Sequence, residues 1–220
     1  MLNFQATFNC RVMSAFAYQH LRAAKTFRDQ AIRVEDQHLD MEFGEFFEDL
    51  RTYGSGCVMS ATASLEALIN ELFIAPGGGL RELFNDFEKE FWSRGGVEWK
   101  PILKKYQKAL QMLGRIPMSE TSQVFENVNA LIKLRDSLVH FKPNWDETRK
   151  HYVELETILS GRYETSPFVD AGSDFSTMKS MSAGCCRWAV SSVAEFVSEF
   201  QRSAQLSQKK MEQYLDRAVA

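Results

Sequence analysis

The sequence predicts an all-α fold, and three observations support this prediction. Apolar residues recur every three or four positions over most of the 220-residue chain, which is the period of amphipathic helices. Only 5 prolines and 12 glycines interrupt this pattern, and 17 phenylalanines supply large apolar side chains for a core. No segment shows the sustained alternation that is typical of a β-strand. We therefore expect a bundle of long antiparallel helices around one core.

Two long helices are predicted in the first part of the chain. The periodic spacing predicts one helix over Phe8–His38 and a second over Phe43–Ile74. Pro76 and the three glycines after it end the second helix, because proline disfavours the helical conformation of the residue before it. Inside that helix, Gly54 and Gly56 would either kink the axis or allow a neighbouring element to approach closely.

Shorter helices follow, separated by glycines and prolines. Residues 77–117 are broken by glycines, so we interpret them as a short helical insertion within a single domain that covers residues 1–220. Asn144, followed three residues later by Glu147, predicts a capping box. A polar loop is expected over Ser160–Ser176. The helices predicted after the second are Leu80–Trp92, Pro101–Leu113, Ser122–Phe141, Asn144–Leu159 and Ser182–Arg217.

Charge and cysteine usage narrow the classes of function. A formal net charge of −3 excludes a generally basic nucleic-acid coat but leaves room for a small local RNA site. The N-terminus lacks the pattern of a signal peptide and no apolar run is long enough for a bilayer, so we expect a cytoplasmic protein without a membrane partner. The four cysteines lack metal-ligand spacing, and neither a metal nor a cofactor is predicted. They are Cys10, Cys57, Cys185 and Cys186.

The helix predicted over Ser122–Phe141 contains an unusual arginine. On a helical wheel, an arc about 120° wide is filled by apolar residues and is expected to face the core. Arg135 falls inside this arc, where burial of an unpaired guanidinium would be costly. It should therefore find an anion, a cluster of backbone oxygens or a solvent-filled groove at an interface. The apolar residues of the arc are Val124, Val128, Leu131, Ile132, Leu138 and Val139.

Three polar residues lie on the edge of this arc, namely Asn129, Asp136 and His140. Asp136 and His140 are four residues apart, a separation that allows contact on a helix. His140 is expected in the last helical turn, where the helix dipole favours an imidazolium. A histidine that exchanges protons beside an arginine that holds a phosphate is suited to cleaving RNA, and no metal is needed if the 2′-hydroxyl is the nucleophile.

The segment from Arg135 to His140 resembles the R-x4-6-H motif of the HEPN superfamily, whose members are helical bundles and often metal-independent ribonucleases. Asp136 matches the preference for a polar residue after the arginine. Residues 64–73, which include Glu66, resemble the long early helix of these proteins, and the resemblance covers about residues 43–160. It implies a HEPN-like bundle in which two protomers form a homodimer with a shared cleft.

The resemblance also implies roles for individual residues. Arg135 would bind the scissile phosphate and His140 would act as general acid or base. Asp136 would orient His140 or contact the ribose, while Glu66 and Asn129 would support these groups. By the same resemblance, the protein would be a toxin with an antitoxin partner, or an effector that works with a phage-defence protein.

Other interpretations stay open at the level of sequence. The chain could be a non-catalytic HEPN-like scaffold that binds a nucleotide or a protein, or an unrelated helical adaptor. Arg135, Asp136 and His140 could also form a buried network that only fixes helix packing. A second string of the same spacing, Arg33 to His38, lies among acidic residues that repel phosphate, so we interpret it as a solvated helix end.

Several remaining residues receive structural interpretations. A strip of lysines is interpreted as a solvated helix face and the tryptophans as core or helix-docking aromatics. Two further histidines, His20 and His151, have no companions at ligand spacing. The lysines are Lys100, Lys104, Lys105 and Lys108, and the tryptophans are Trp92, Trp99, Trp145 and Trp188.

Overall fold

The computed structural model describes residues 15–74, 84–142, 150–170 and 172–206. These residues form helices and connecting turns without a strand, which confirms the all-α prediction. A short 3-10 helix at Val97–Trp99 and one π-helical turn at Phe175–Lys179 lie between the longer elements. The α-helices are α1 (Ala17–His38), α2 (Phe46–Ile74), α3 (Phe84–Trp92), α4 (Ile102–Met112), α5 (Gln123–Val139), α6 (Lys150–Leu159) and α7 (Ala183–Ala204).

Helix α2 lies at the centre of the bundle. It packs against α1, α3, α4, α5 and α7, and residues such as Cys57, Leu65 and Ile69 are fully buried. Among the described residues, α2 is the one helix that is long and apolar enough to cross a membrane by length and composition. Its contacts with five other helices explain this composition, because a helix surrounded by neighbours buries side chains on most of its surface.

The two glycines inside α2 permit close packing. A Cβ atom at Gly54 would lie 3.0 Å from the sulfur of Met181, and a Cβ atom at Gly56 would lie 3.0 Å from the ring of Phe27. Both distances are shorter than ordinary van der Waals contacts. The second of the two predicted possibilities, close approach of a neighbouring element, is therefore confirmed.

Helix α7 is shorter than its sequence pattern predicts. It begins after Ser182, whose hydroxyl accepts a hydrogen bond from the backbone N–H of Cys185 at 3.0 Å. It ends at Ala204 because Gln205 adopts a left-handed conformation with φ of 52°, so the expected continuous helix to Arg217 is wrong. Helix α1 begins at Ala17, and the preceding residues Ala15 and Phe16 are not helical, so the expected continuous helix from Phe8 is also wrong. Most of the other predicted helix ends that fall on described residues differ from the observed ones by a few residues.

Some predicted segments lie outside the described residues. These include residues 8–14, the proline–glycine stop at 76–79, the capping box at Asn144 and the segment 207–217. Cys10 and Trp145 also lie there. The side chain of His151 is likewise outside the description.

The segment after α2 packs back onto the bundle. Phe87 of α3 lies against Phe73 of α2 with ring centroids 5.0 Å apart, and Tyr106 of α4 donates a hydrogen bond to the carbonyl oxygen of Leu65 at 2.8 Å. Two tryptophans differ from their interpretation as core aromatics, since Trp92 and Trp99 are 58% and 75% exposed. Trp188 is buried, as expected. Amphipathic periodicity does not distinguish these positions, because an aromatic at the edge of an apolar stripe is buried only when a neighbour covers it.

Candidate functional site

An open groove of about 300 Å³ lies between α1, α2 and the last turns of α5. Three side chains that can carry charge line it, one from each helix: His20 of α1, Glu66 of α2 and Arg135 of α5. The volume is at the lower end of the range of about 300–1,000 Å³ that is usual for small-molecule sites. The other lining residues are Met59, Ser60, Thr62, Ala63 and Val139.

One side of α5 faces the core along the first part of the helix and faces the groove along its last turns. Arg135 lies on this side, in the part that faces the groove. Ser122 caps the helix by accepting a hydrogen bond from the N–H of Phe125. Val128 and Leu131 of the same side are fully buried, whereas the side chain of Arg135, one turn later, is 27% exposed. Val139 was also predicted to face the core, but it is 46% exposed. The last turns of α5 therefore line a groove instead of the core.

The guanidinium of Arg135 has an acidic neighbour but retains unused hydrogen-bonding capacity. Its Nε atom lies 3.1 Å from Oδ1 of Asp136. The same Nε atom is buried and donates no hydrogen bond, so the contact with Asp136 is electrostatic. This Nε atom is out of reach of solvent, so a ligand in the groove would meet the exposed part of the side chain, which amounts to 27%. A phosphate fits, since its oxygens pair well with guanidinium groups.

Glu66 is held from behind by a buried lysine. The side chain of Lys105 is only 2% exposed, and its Nζ atom lies 3.0 Å from Oε1 of Glu66 and 2.9 Å from Oδ1 of Asn70. The interpretation of the lysine strip as a solvated face is therefore wrong for Lys105, because α4 packs this side chain against α2. Two other lysines of the strip make ion pairs, Lys104 with Glu120 and Lys108 with Glu90.

The remaining candidate residues do not line this groove. His140 is the residue that follows α5, and its backbone N–H donates to the carbonyl oxygen of Asp136 at 2.9 Å. Its imidazole is exposed, and the described contacts include none between the side chains of His140 and Asp136. Asn129 is also exposed. The structure thus places Arg135 and Glu66 in one groove, sets Asp136 beside Arg135 in an ion pair, and leaves His140 and Asn129 facing solvent.

His20 is the groove residue that sequence reasoning missed. It lies between Ala17 and Ala24 on the buried side of α1, and the ring of Phe16 contacts it at a centroid distance of 5.7 Å. A histidine on the apolar face of an amphipathic helix was the available signal. Glu66 and Arg135, which line the same groove, are 46 and 115 positions away from His20 in the chain. Helical periodicity does not predict which residues meet over such separations.

The second arginine–histidine string is used for packing. The imidazole of His38 stacks on Phe46 at a centroid distance of 4.2 Å, and its Nδ1 atom lies 2.7 Å from the carbonyl oxygen of Val34. Arg33 is exposed and donates to Gln30. The string lies at the end of α1, as predicted, and Arg33 is solvated, but His38 packs against Phe46 instead of facing solvent.

The cysteines of the described residues are reduced and buried. Cys57 of α2 faces α7, where its Sγ atom lies 3.7 Å from the carbonyl oxygen of Cys186. A hydrogen bond with Cys186, together with burial, raises the pKa of the Cys57 thiol well above its ordinary value, and burial does the same for Cys185. Both thiols are thus held in their unreactive protonated form. The described residues contain no group of three or more histidine, cysteine or carboxylate side chains that could hold a metal ion.

No protein-family model, curated protein or solved structure matches this chain. The likeness to HEPN proteins therefore rests on residues 64–73 and 135–140 themselves. The structure adds an all-α bundle with a groove that is lined by Arg135, Glu66 and His20.

Proposed function

We propose that this protein is a metal-independent endoribonuclease of the HEPN type that acts as a homodimer with a shared cleft. The observation that supports this most strongly is the position of Arg135. Its side chain lines an open groove and is 27% exposed, and its one ion-pair partner among the described residues is Asp136. An RNA phosphate is an anion that a guanidinium in such a groove binds well.

The proposed reaction is an internal transesterification of RNA. The 2′-oxygen forms a bond to phosphorus, the P–O5′ bond breaks, and the products end in a 2′,3′-cyclic phosphate and a 5′-hydroxyl. Arg135 binds the phosphate oxygens, on which negative charge increases in the transition state. His140 acts as general acid or base. Asp136 balances the charge of Arg135 before RNA binds and then orients His140 or contacts the ribose.

The exposure of His140 is consistent with a cleft completed by a second protomer. His140 directly follows Val139, which lines the groove and is 46% exposed. Met59 is 44% exposed in the same groove. Apolar side chains around a charged groove are suited to burial against a partner, and a second copy of this chain would bring its own His140 to the cleft.

The overall charge of −3 requires that RNA be bound locally, or delivered by a partner. The proposed roles supply such a partner. The protein would be a cytoplasmic toxin that is controlled by an antitoxin, or an effector of phage defence that works with another protein. In both cases the nuclease is active only in a particular complex or state.

The nuclease is tested by incubating the full chain with mixed RNA in EDTA, beside Arg135→Ala and His140→Ala. We expect cleavage by the wild-type protein with cyclic-phosphate ends, and a loss of about 10²–10⁴-fold in each variant. Arg33→Ala is the matched control, since Arg33 is exposed and does not line the groove, and it should cleave like wild type. Cleavage that persists in Arg135→Ala would reject the proposed role of the groove.

The shared cleft is tested by measuring the mass of the protein by light scattering after gel filtration. We expect a dimer for the wild type, and a monomer with reduced RNA cleavage for Val139→Asp, because a carboxylate would be buried at the interface. Ile116→Asp is the control, since Ile116 is 86% exposed and lies outside the groove. A wild-type monomer that cleaves RNA would contradict the dimeric cleft.

The second candidate function is a nucleotide-binding module without catalysis. The ion pair of Arg135 with Asp136 inside one protomer favours it, because a balanced guanidinium can hold a ligand phosphate without promoting its cleavage. Binding of a mononucleotide in calorimetry, lost in Arg135→Ala and unaccompanied by RNA cleavage, would select this function.

A further inference from the structure

The groove contains a titratable side chain to which the proposed function assigns no role. The chain has four histidines. His38 is stacked on Phe46 and His140 is exposed after α5, while the side chain of His151 lies outside the described residues. His20 lines the groove together with Arg135 and Glu66.

We propose that His20 is a second proton-transfer residue of this groove and acts on the same RNA phosphodiester that Arg135 binds. This inference rests on the proposed ribonuclease function and extends it, since the R-x4-6-H motif does not include His20.

The position of His20 relative to Glu66 is fixed by contacts at the start of α1. The backbone N–H groups of Phe16 and Ala17 donate hydrogen bonds to Oε1 of Glu71, at 2.6 and 2.8 Å. Glu71 belongs to α2, so this carboxylate joins the first turn of α1 to the helix that contains Glu66. His20 follows one turn later on a helix whose neighbouring residue Leu21 is 1% exposed. The imidazole is thus presented to the groove by a packed helix.

Two other charged side chains line the groove with this imidazole, namely Arg135 and Glu66, and Glu66 is paired with Lys105. Lys105 lies 3.0 Å from the Glu66 carboxylate and is buried, so the negative charge of Glu66 is paired from within the protein. The groove therefore does not present an uncompensated carboxylate to an approaching phosphate. Lys105 is a positioning residue in this arrangement, because it acts through Glu66.

Cleavage of RNA by its own 2′-hydroxyl requires two proton transfers. A neutral imidazole takes the proton of the 2′-hydroxyl as the 2′-oxygen bonds to phosphorus, and an imidazolium gives a proton to O5′ as the P–O5′ bond breaks. No proton is gained or lost overall, and exchange with water returns both histidines to their starting forms. His140 supplies one of these groups in the proposed function, and His20, which lines the groove from α1, supplies the other.

The test compares the wild-type chain with His20→Gln, His20→Ala and Arg135→Ala on RNA in EDTA. We expect both His20 variants to lose about 10²–10⁴-fold in cleavage rate, the usual contribution of a general acid or base. Added imidazole should restore part of the rate to His20→Ala, because the free base can occupy the vacated volume. Gln19→Ala, an exposed neighbour on α1, is the matched control and should retain wild-type cleavage without a response to imidazole.

The outcomes separate this inference from the function on which it rests. Wild-type cleavage that is lost in Arg135→Ala but retained in His20→Gln would overturn the role of His20 and leave the nuclease in place. Loss in His20→Ala without rescue by imidazole, together with a lowered unfolding midpoint in both His20 variants, would assign His20 a structural role and also overturn the inference. Absence of cleavage by the wild-type protein would reject the nuclease itself.

Discussion

Lys105 and Glu66 form an ion pair whose two members have very different environments. The ammonium of Lys105 is 2% exposed, whereas the carboxylate side chain of Glu66 is 42% exposed. Removal of Glu66 leaves a buried cation with only the Asn70 oxygen as a partner, while removal of Lys105 leaves an anion that water can reach. The two truncations should therefore have unequal effects on stability.

We predict that Glu66→Ala lowers the free energy of unfolding by about 2–3 kcal/mol, somewhat below the 3–5 kcal/mol that is usual for breaking a fully buried pair. Lys105→Met should cost about 1 kcal/mol or less, since an apolar side chain of similar length replaces a buried charge. The measurement is urea unfolding followed by circular dichroism. Glu120→Ala, which breaks the exposed pair with Lys104, is the control and should change stability by about 0.5 kcal/mol at most. Equal effects of Glu66→Ala and Lys105→Met would contradict the asymmetry.

At the scale of elements, the start of α7 is packed against the backbone of the preceding loop. Ser182 donates a hydrogen bond from its hydroxyl to the carbonyl oxygen of Glu164 at 2.7 Å. Gly184, in the first turn, lies so close to the same residue that an added Cβ would overlap the Glu164 carbonyl oxygen and lie 2.9 Å from the Glu164 Cβ. Because the obstacle includes backbone, it cannot move aside as a flexible side chain would.

We predict that Gly184→Ala destabilises the protein by about 1–3 kcal/mol, the usual cost of overpacking, although alanine is the better helix former. Thermal unfolding of the two proteins is the measurement. Gly172→Ala serves as the control, because no heavy atom beyond the two adjacent residues lies within 4 Å of the added Cβ. A Gly184→Ala protein that unfolds at a higher temperature than wild type would show that α7 is not packed this closely.

For the whole molecule, one carboxylate links the first and last described helices and makes stability depend on pH. Glu35 of α1 accepts a hydrogen bond from the backbone N–H of Ala183, the first residue of α7, at 2.8 Å. Burial raises the pKa of Glu35 above its ordinary value, against the opposing effect of this hydrogen bond. The folded state therefore favours the protonated carboxyl. Its contribution to stability is present below the ordinary pKa and is lost as the pH rises through the raised folded value.

We predict that Glu35→Gln removes this loss, since the amide oxygen can still accept the hydrogen bond of Ala183 without carrying charge. The variant should gain stability relative to wild type on going from pH 4 to pH 7, measured by urea unfolding at both values. Glu42→Gln, at an exposed position, should show no such change between the two pH values. A Glu35→Gln protein that loses stability relative to wild type over this interval would reverse the assigned sign.

The candidate site was only partly predictable from sequence. Features that depend on nearby residues in the chain were predicted, whereas features that depend on contacts between different helices were not. The helical period of α5 placed Arg135 on the core-facing side of its helix, and Ser122 marked the start of that helix. The burial of Lys105 and the exposure of Trp99 were not predictable, because each depends on which neighbouring helix covers the position. His20 was overlooked for the same reason, since its partners come from α2 and α5.

Local chemistry along the chain was enough to establish the all-α class, the approximate ends of most helices and the unusual arginine in an apolar stripe. These properties depend on hydrogen bonds and side-chain contacts within four residues, which periodicity and capping residues report directly. The groove and the Lys105–Glu66 pair were decided by tertiary packing. Packing brings together side chains that are distant in the chain. The resulting burial determines how exposed each side chain is and which charged groups need a partner.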